Sequence, residues 1–319
     1  MYSDAHCDTL TRIFDCGEAL YQNSGQLDFK RLLDGGCGVQ FFAVWTDPQY
    51  EDGRAFERCK NVLEYYQSQK TAQTVTILSA ADVERAEAPG MLGALLTVEG
   101  GGAIEGSLEK LEELYRRGVR GMTLTWNGRN ALGRGVGEEL EALYGGGVAP
   151  AEGGGLTAFG KAVVRRMEEL GMLIDVSHLT QRGFWDVAET AAGPFIASHS
   201  NCAALCPHPR NLTDEQIRCI IRHGGFIGLN LCPDFLAGGC CTVDDVLAHA
   251  MHILDLGGEQ VLGFGGDLDG VERLPAGLEG AEHMQRLLDA FCKKIDDESL
   301  LNAIFYENLH RIIKKILKK

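Results

Sequence analysis

Eight short runs of apolar and β-branched residues recur along the chain, separated by longer stretches of helical period, and this alternation constrains the fold more than any other feature. The runs are Tyr2 to Cys7, Val39 to Trp45, Met91 to Val98, Gly121 to Thr125, Leu173 to Val176, Phe195 to Ser198, Phe226 to Leu231 and Val261 to Gly265. Between them, Gly53 to Gln69, Ser107 to Arg117, Thr157 to Leu170, Thr213 to Arg222 and Val243 to Leu256 repeat apolar residues every three or four positions. Eight strand–helix units predict a closed α/β barrel of the TIM type, (β/α)8. A doubly wound open sheet is disfavoured, because no G-x-G-x-x-G turn follows the first strand. One domain over residues 1–319 is expected, with a C-terminal helix docked through Leu309, Ile312, Ile313, Ile316 and Leu317. Gly128 to Gly155 holds ten glycines and no persistent period, so it reads as a long loop over the active-site face.

Composition narrows the function. A net charge of −15 without an internal basic cluster argues against a nucleic-acid partner and favours small neutral or zwitterionic molecules. No apolar stretch reaches the roughly 18 residues of a membrane span, and the lysines at 314, 315, 318 and 319 suit the last turn of a helix better than a membrane anchor. The eleven cysteines are odd in number and never spaced C-x-x-C, as expected of reduced thiols. The first residues carry neither a basic segment nor an apolar run, and the expected location is the cytoplasm.

Chemistry gathers at the ends of the predicted strands. His6 and Asp8 lie two apart, so strand alternation aims both to one side. Glu99, His178, His199 and Asp267 each follow an apolar run, and in a barrel such positions converge on the C-terminal face, where catalytic residues reside. Three histidines and two carboxylates are suited to zinc or a similar divalent ion, and five donors exceed what one open tetrahedral site uses. Two metals are therefore expected. If Glu99 bridges them, one ion takes His6 and Asp8 and the other His178 and His199. Four positive charges then balance Asp8, Glu99, a bridging hydroxide and an ionised Asp267. His208, His223, His249, His252, His283 and His310 are read as ordinary histidines; the pair at 249 and 252 lacks the glutamate of H-E-x-x-H.

Taken in order, Asp4-Ala5-His6-Cys7-Asp8, Val98-Glu99-Gly100-Gly101, Ile174-Asp175-Val176-Ser177-His178, Ser198-His199-Ser200, Arg210-Asn211 and Gly265-Gly266-Asp267-Leu268-Asp269-Gly270 resemble the membrane dipeptidase (renal dipeptidase) family, peptidase family M19, within the binuclear amidohydrolase-like barrels. The resemblance runs nearly end to end and points to its soluble bacterial branch. It implies that His6, Asp8, Glu99, His178 and His199 bind two zinc ions with Glu99 as the bridge, that Asp267 handles the proton, and that Arg210 clamps the substrate carboxylate. It further implies hydrolysis of dipeptides, with a D-residue tolerated on the C-terminal side, through attack by a hydroxide shared between the metals, and a homodimer.

Two positions depart from that family. Leu124-Thr125-Trp126-Asn127 carries Trp126 where many members have a histidine that steadies the carbonyl oxygen, and Cys232 stands where mammalian members have a substrate-contacting tyrosine. Trp126 is read as a pocket wall and Asn127 as a neighbouring donor for the transition state. Two rival readings share these residues: another hydrolase of the same barrel, acting on N-acyl amino acids or lactones, and a binding protein that has lost turnover.

Overall fold

The computed structural model describes residues 1–50, 53–137, 139 and 154–318. Nine strands run through them: β1 (Tyr2–Asp4), β2 (Cys37–Trp45), β3 (Thr74–Thr76), β4 (Leu92–Glu99), β5 (Val119–Thr123), β6 (Leu173–Asp175), β7 (Ile196–Ala197), β8 (Phe226–Leu229) and β9 (Leu262–Phe264). All pair in parallel, in the order β2-β1-β9-β8-β7-β6-β5-β4, and β4 pairs back onto β2 from Val39↔Gly93 to Trp45↔Glu99, closing an eight-stranded barrel. The expected (β/α)8 architecture holds. The ninth strand was not expected: β3 pairs with Leu92 to Ala94 on the edge of β4 that β5 takes over from Leu96. It is three residues long with one buried side chain, too little for a readable alternation.

The regular ladders also end earlier than the apolar runs. β1 stops at Asp4, β7 at Ala197 and β8 at Leu229, and the residues just beyond leave the sheet. The five expected helices form as Ala55–Gln69, Leu108–Arg116, Ala158–Leu170, Asp214–His223 and Val243–Asp255. Four start on side-chain caps: Ser107 accepts from the Lys110 N–H and Thr157 from the Gly160 N–H, while Thr213 with Gln216 and Thr242 with Asp245 form reciprocal capping boxes. Most of the glycine-rich segment lies outside the described residues. Its first part, up to Gly137, folds back on the end of β5, with Val136 donating to the His178 carbonyl and Gly137 to that of Asn127.

The last helix, Asn308–Ile316, closes the opposite end of the barrel. Leu309, Ile312 and Ile313 are buried in one cluster with Leu173, Ile196 and Phe226, each the first residue of its strand. Leu95 of β4 belongs to the same inward-facing cluster; alternation therefore turns Glu99, four residues on, toward the barrel axis at the other end. Replacing Ile312 by alanine removes a fully buried side chain from this plug and is expected to cost about 2–5 kcal/mol. Urea unfolding should register that loss as a lower midpoint with an unchanged slope.

Candidate active site

A rim of hydrogen bonds holds the C-terminal ends of the strands in place. The buried Asp4 carboxylate accepts from the His6 N–H at 2.9 Å, the Gly266 N–H at 2.9 Å and Gln40 Nε2 at 3.1 Å, tying β1 to β9 and β2. Asp175 does the same for β6 and β7, accepting from the Ser177 and Ser198 N–H groups at 3.0 Å each. Asn201 and Asn230 exchange side-chain and backbone bonds between the ends of β7 and β8. Sequence reasoning passed over Asp4 and Asp175. The spacing D-x-x, with the N–H two residues on folded back onto the carboxylate, was the available signal. His178 and Asp267 sit in the left-handed region at φ 68° and 59°, a strained conformation for non-glycine residues that clusters at functional sites.

The backbone thus delivers six side chains to one point. Glu99 Oε1 lies 2.8 Å from His178 Nε2 and 3.6 Å from His199 Nε2, while its Oε2 lies 3.8 Å from His6 Nε2. His6 Nε2 is 3.3 Å from Asp8 Oδ2 and 3.7 Å from Asp267 Oδ1. The chain therefore brings together His6, Asp8, Glu99, His178 and His199, and Asp267 joins them. Ligand atoms of His6, Asp8 and Asp267 lie within 4.8 Å of one another, as do those of His6, Glu99 and His199.

The outer nitrogens of two imidazoles are engaged. His178 Nδ1 meets Asn127 Oδ1 at 2.8 Å and His199 Nδ1 meets Ser198 Oγ at 2.7 Å, which leaves both Nε2 atoms turned toward the centre. Burial, reinforced by charges nearby, holds His178 and His199 well below the ordinary imidazole range, so both are neutral, the form that ligates metal. Burial opposes charge on His6 as well, but Glu99, Asp8 and Asp267 outweigh it and raise its pKa to about 10. Glu99 is pushed well above the usual carboxylate range by burial and then by Asp8, and Asp267 is raised for the same reasons. Asp8 Oδ1 is buried without any partner. A buried cluster of three carboxylates, with an orphaned oxygen and inward imidazole lone pairs, fits divalent cations.

A cleft of about 410 Å³ opens over this centre, lined by Asp8, Glu99, Trp126, Asn127, His178 and Asp267 among others. Its volume suits a small-molecule site. Gly270 is required beside it, since a Cβ there would stand 2.3 Å from both Asp8 Oδ2 and Asp267 Oδ1. Trp126 is half-buried and lines the cleft, and Trp45, which sequence reasoning left as an ordinary strand residue, packs on it at 5.2 Å. The oxygen of Asn127 is taken up with His178. Arg210 is buried with Nη2 on the His199 carbonyl at 3.2 Å and its guanidinium over the Phe235 ring; it lines a small void that shares His178 with the cleft. Cys232 is buried and does not line the cleft, its N–H on Asn230 Oδ1, and burial pushes its thiol up to about 11. Asn230 in turn donates to Asp267 Oδ2 at 2.9 Å. The six histidines read as ordinary stand away from this centre; His249, for one, accepts from the Cys202 N–H and meets the Leu236 carbonyl.

A parallel eight-stranded barrel with imidazoles and carboxylates converging at its C-terminal face is that of a metal-dependent hydrolase of the amidohydrolase-like class. Within that class the chain belongs to the membrane dipeptidase family, peptidase family M19, whose family model matches residues 1–318. An uncharacterized protein in the pqqA 5′ region of Klebsiella pneumoniae is 35% identical over 244 residues, 75% of this chain and 88% of its own. Among solved structures, dipeptidase AC, a metallo peptidase of family M19, is 27% identical with a TM-score of 0.90, covering 99% of this chain and 98% of that one. A Rhodobacter sphaeroides metallo peptidase, liganded with a phosphinate mimic of the dipeptide L-Ala-D-Ala, is 26% identical with a TM-score of 0.87 and covers 99% of each chain.

The Asn127–His178 bond makes a direct prediction. Asn127→Ala should weaken zinc retention about 10- to 100-fold, read by competition with a chromogenic chelator, whereas Asn127→Asp, which keeps the acceptor, should restore most of it.

Proposed function

We propose that this metallopeptidase-family enzyme is a dipeptidase holding two divalent ions, zinc being the metal best suited to its imidazole and carboxylate donors. The observation that carries the reading is the orientation of Glu99, with one oxygen toward His178 and His199 and the other toward His6. His6 and Asp8 would hold one ion, His178 and His199 the other, with Glu99 between them. When bound, such a pair supplies Lewis acidity and an activated water at neutral pH.

The chain's own groups do the rest. Asp267 keeps one oxygen fixed by Asn230 and the other near His6, which suits a carboxylate that takes a proton and returns it to the departing amine. Burial raises its pKa, so that it accepts a proton more readily than an exposed aspartate. Arg210, desolvated and with Nε unpartnered, is poised to pair with a substrate carboxylate. Trp126 walls the cleft, and Asn127 acts by fixing the His178 ring. Cys232 reaches substrate only through the Asn230–Phe235 segment it belongs to. Because the Rhodobacter relative holds a mimic of L-Ala-D-Ala, a dipeptide with a D-residue on its C-terminal side is the proposed substrate class.

The remaining expectations stand as proposals on their own supports. Eleven free cysteines suit a reducing cytoplasm, and a homodimer of single-domain barrels rests on the family resemblance. No described helix is long and apolar enough to cross a membrane.

Two measurements test the reading. Glu99→Gln should lose both metals together, and elemental analysis after reconstitution in excess zinc should give well under one ion per chain against two for wild type; retention of one full ion would remove the bridge. Arg210→Met should lower kcat/KM for free dipeptides about 100-fold while barely affecting their C-terminal amides, and equal losses on both would rule out the carboxylate clamp.

A further inference from the structure

Two indoles stand on one side of the cleft and belong to neither metal group. Trp45 is the last residue of β2, in register with Glu99 of β4, and Trp126 follows β5 by three residues. The two strands flank β4. Their rings meet edge to face, centroids 5.2 Å apart and planes at 65°, and Trp126 is also 6.2 Å from the His178 ring. Both line the cleft and both are half-buried, so a continuous aromatic wall borders the carboxylate and imidazole centre.

The order of strands around the barrel fixes which end of a bound molecule this wall meets. In the ring β2-β4-β5-β6-β7-β8-β9-β1, β8 stands four strands from β4 in either direction. Arg210 follows β7 and lies over Phe235, which follows β8, so the proposed carboxylate clamp sits across the barrel axis from Trp45 and Trp126. A dipeptide whose carboxylate is held on the Arg210 side, with its peptide bond over Glu99, directs its N-terminal residue at the two indoles.

The charges near that wall are already satisfied. Arg12 pairs with Glu18 at 3.1 Å and with Ser24 Oγ at 2.7 Å, and Asp15 takes Arg58 Nη2 on both oxygens at 2.7 Å. Each of these two charges therefore already has an intramolecular partner of opposite sign. We infer that Trp45 and Trp126 form the subsite for the side chain of the substrate's N-terminal residue and select a large apolar or aromatic one. Edge-to-face and stacked ring contacts favour a flat side chain there beyond the area it buries, and glycine would leave the wall uncovered.

This inference rests on the dipeptidase reading, and the experiment separates the two. Zinc-loaded enzyme is assayed on X-D-Ala with X as Phe, Leu, Ala, Gly and Glu. The expected result is that kcat/KM for Phe and Leu exceeds that for Gly by at least about tenfold, mostly through KM, and that Trp126→Ala and Trp45→Ala each draw the Phe-to-Gly ratio toward one. A ratio near one in wild type, a ratio that survives both substitutions, or a preference for Glu overturns the subsite. Failure to cleave any member overturns the dipeptidase reading instead, and binding then decides the subsite alone. The chain has three tryptophans, and Trp185 lies away from the cleft on the helix Gln181–Thr190. In Trp185→Phe, emission reports only the two wall residues. Titration with the phosphinate mimic of Phe-D-Ala should quench it with a Kd at least about tenfold below that of the Gly-D-Ala mimic; equal constants, or no change in emission, would sink the inference.

Discussion

The cost of burying Asp8, Glu99 and Asp267 around one point is the constraint from which the rest of the molecule follows. Each carboxylate is at least nine-tenths buried, and the charge of Asp8 adds to burial in raising the expense of ionising both Glu99 and Asp267. Such a cluster is stable only against positive charge. One part comes from Arg210, buried beside it, and the remainder matches divalent cations at the inward-facing imidazoles. The charge pattern thus suits the site to cations, and the proposed division between two ions rests on the geometry of Glu99, shared between two sets of nitrogens.

A cluster of mutually repelling groups must be held by a frame that does not yield, and the hydrogen-bonded rim is that frame. Asp4, Asp175, Thr123 and the Asn201–Asn230 pair join successive strand ends just below the functional side chains. The frame is close enough to exclude side chains. At Gly265 a Cβ would fall 1.7 Å from the Ser198 carbonyl oxygen, and at Gly228 2.0 Å from the same atom. The strain at His178 and Asp267 is tolerated because the residues before and after them are tied down. At the other end of the barrel, the C-terminal helix supplies apolar packing with no chemistry, so stability and function are divided between the two faces.

Much of this was legible in the sequence because barrel chemistry sits directly after apolar runs. Glu99 follows Leu95-Leu96-Thr97-Val98 and His199 follows Ile196-Ala197-Ser198, so a strand pattern alone locates them. What stayed illegible depends on partners remote in the chain. Asp4 matters through Gly266 and Asp175 through Ser198, contacts that exist only once β1 meets β9 and β6 meets β7. The helices Thr9–Cys16 and Gln181–Thr190 were missed because each turns only a few apolar residues inward, and β3 because a single buried valine gives no period.

The departures at 126 and 127 are best understood together. The expected consequence of a tryptophan here was the loss of a polar donor, with Asn127 as its replacement. In the fold the asparagine oxygen faces His178 and the indole faces Trp45, so one residue of the pair serves the imidazole and the other the cleft wall. An indole has a single N–H and cannot take up charge, whereas its ring offers a large apolar surface. Exchanging a titratable side chain for that surface shifts the position from handling charge in the reaction toward shaping what fits beside it. Under the proposed mechanism, stabilisation of a developing oxyanion then falls to the cations and to whatever donors the substrate meets elsewhere, and Trp126, packed on Trp45, is the position of this site that departs most from the family pattern.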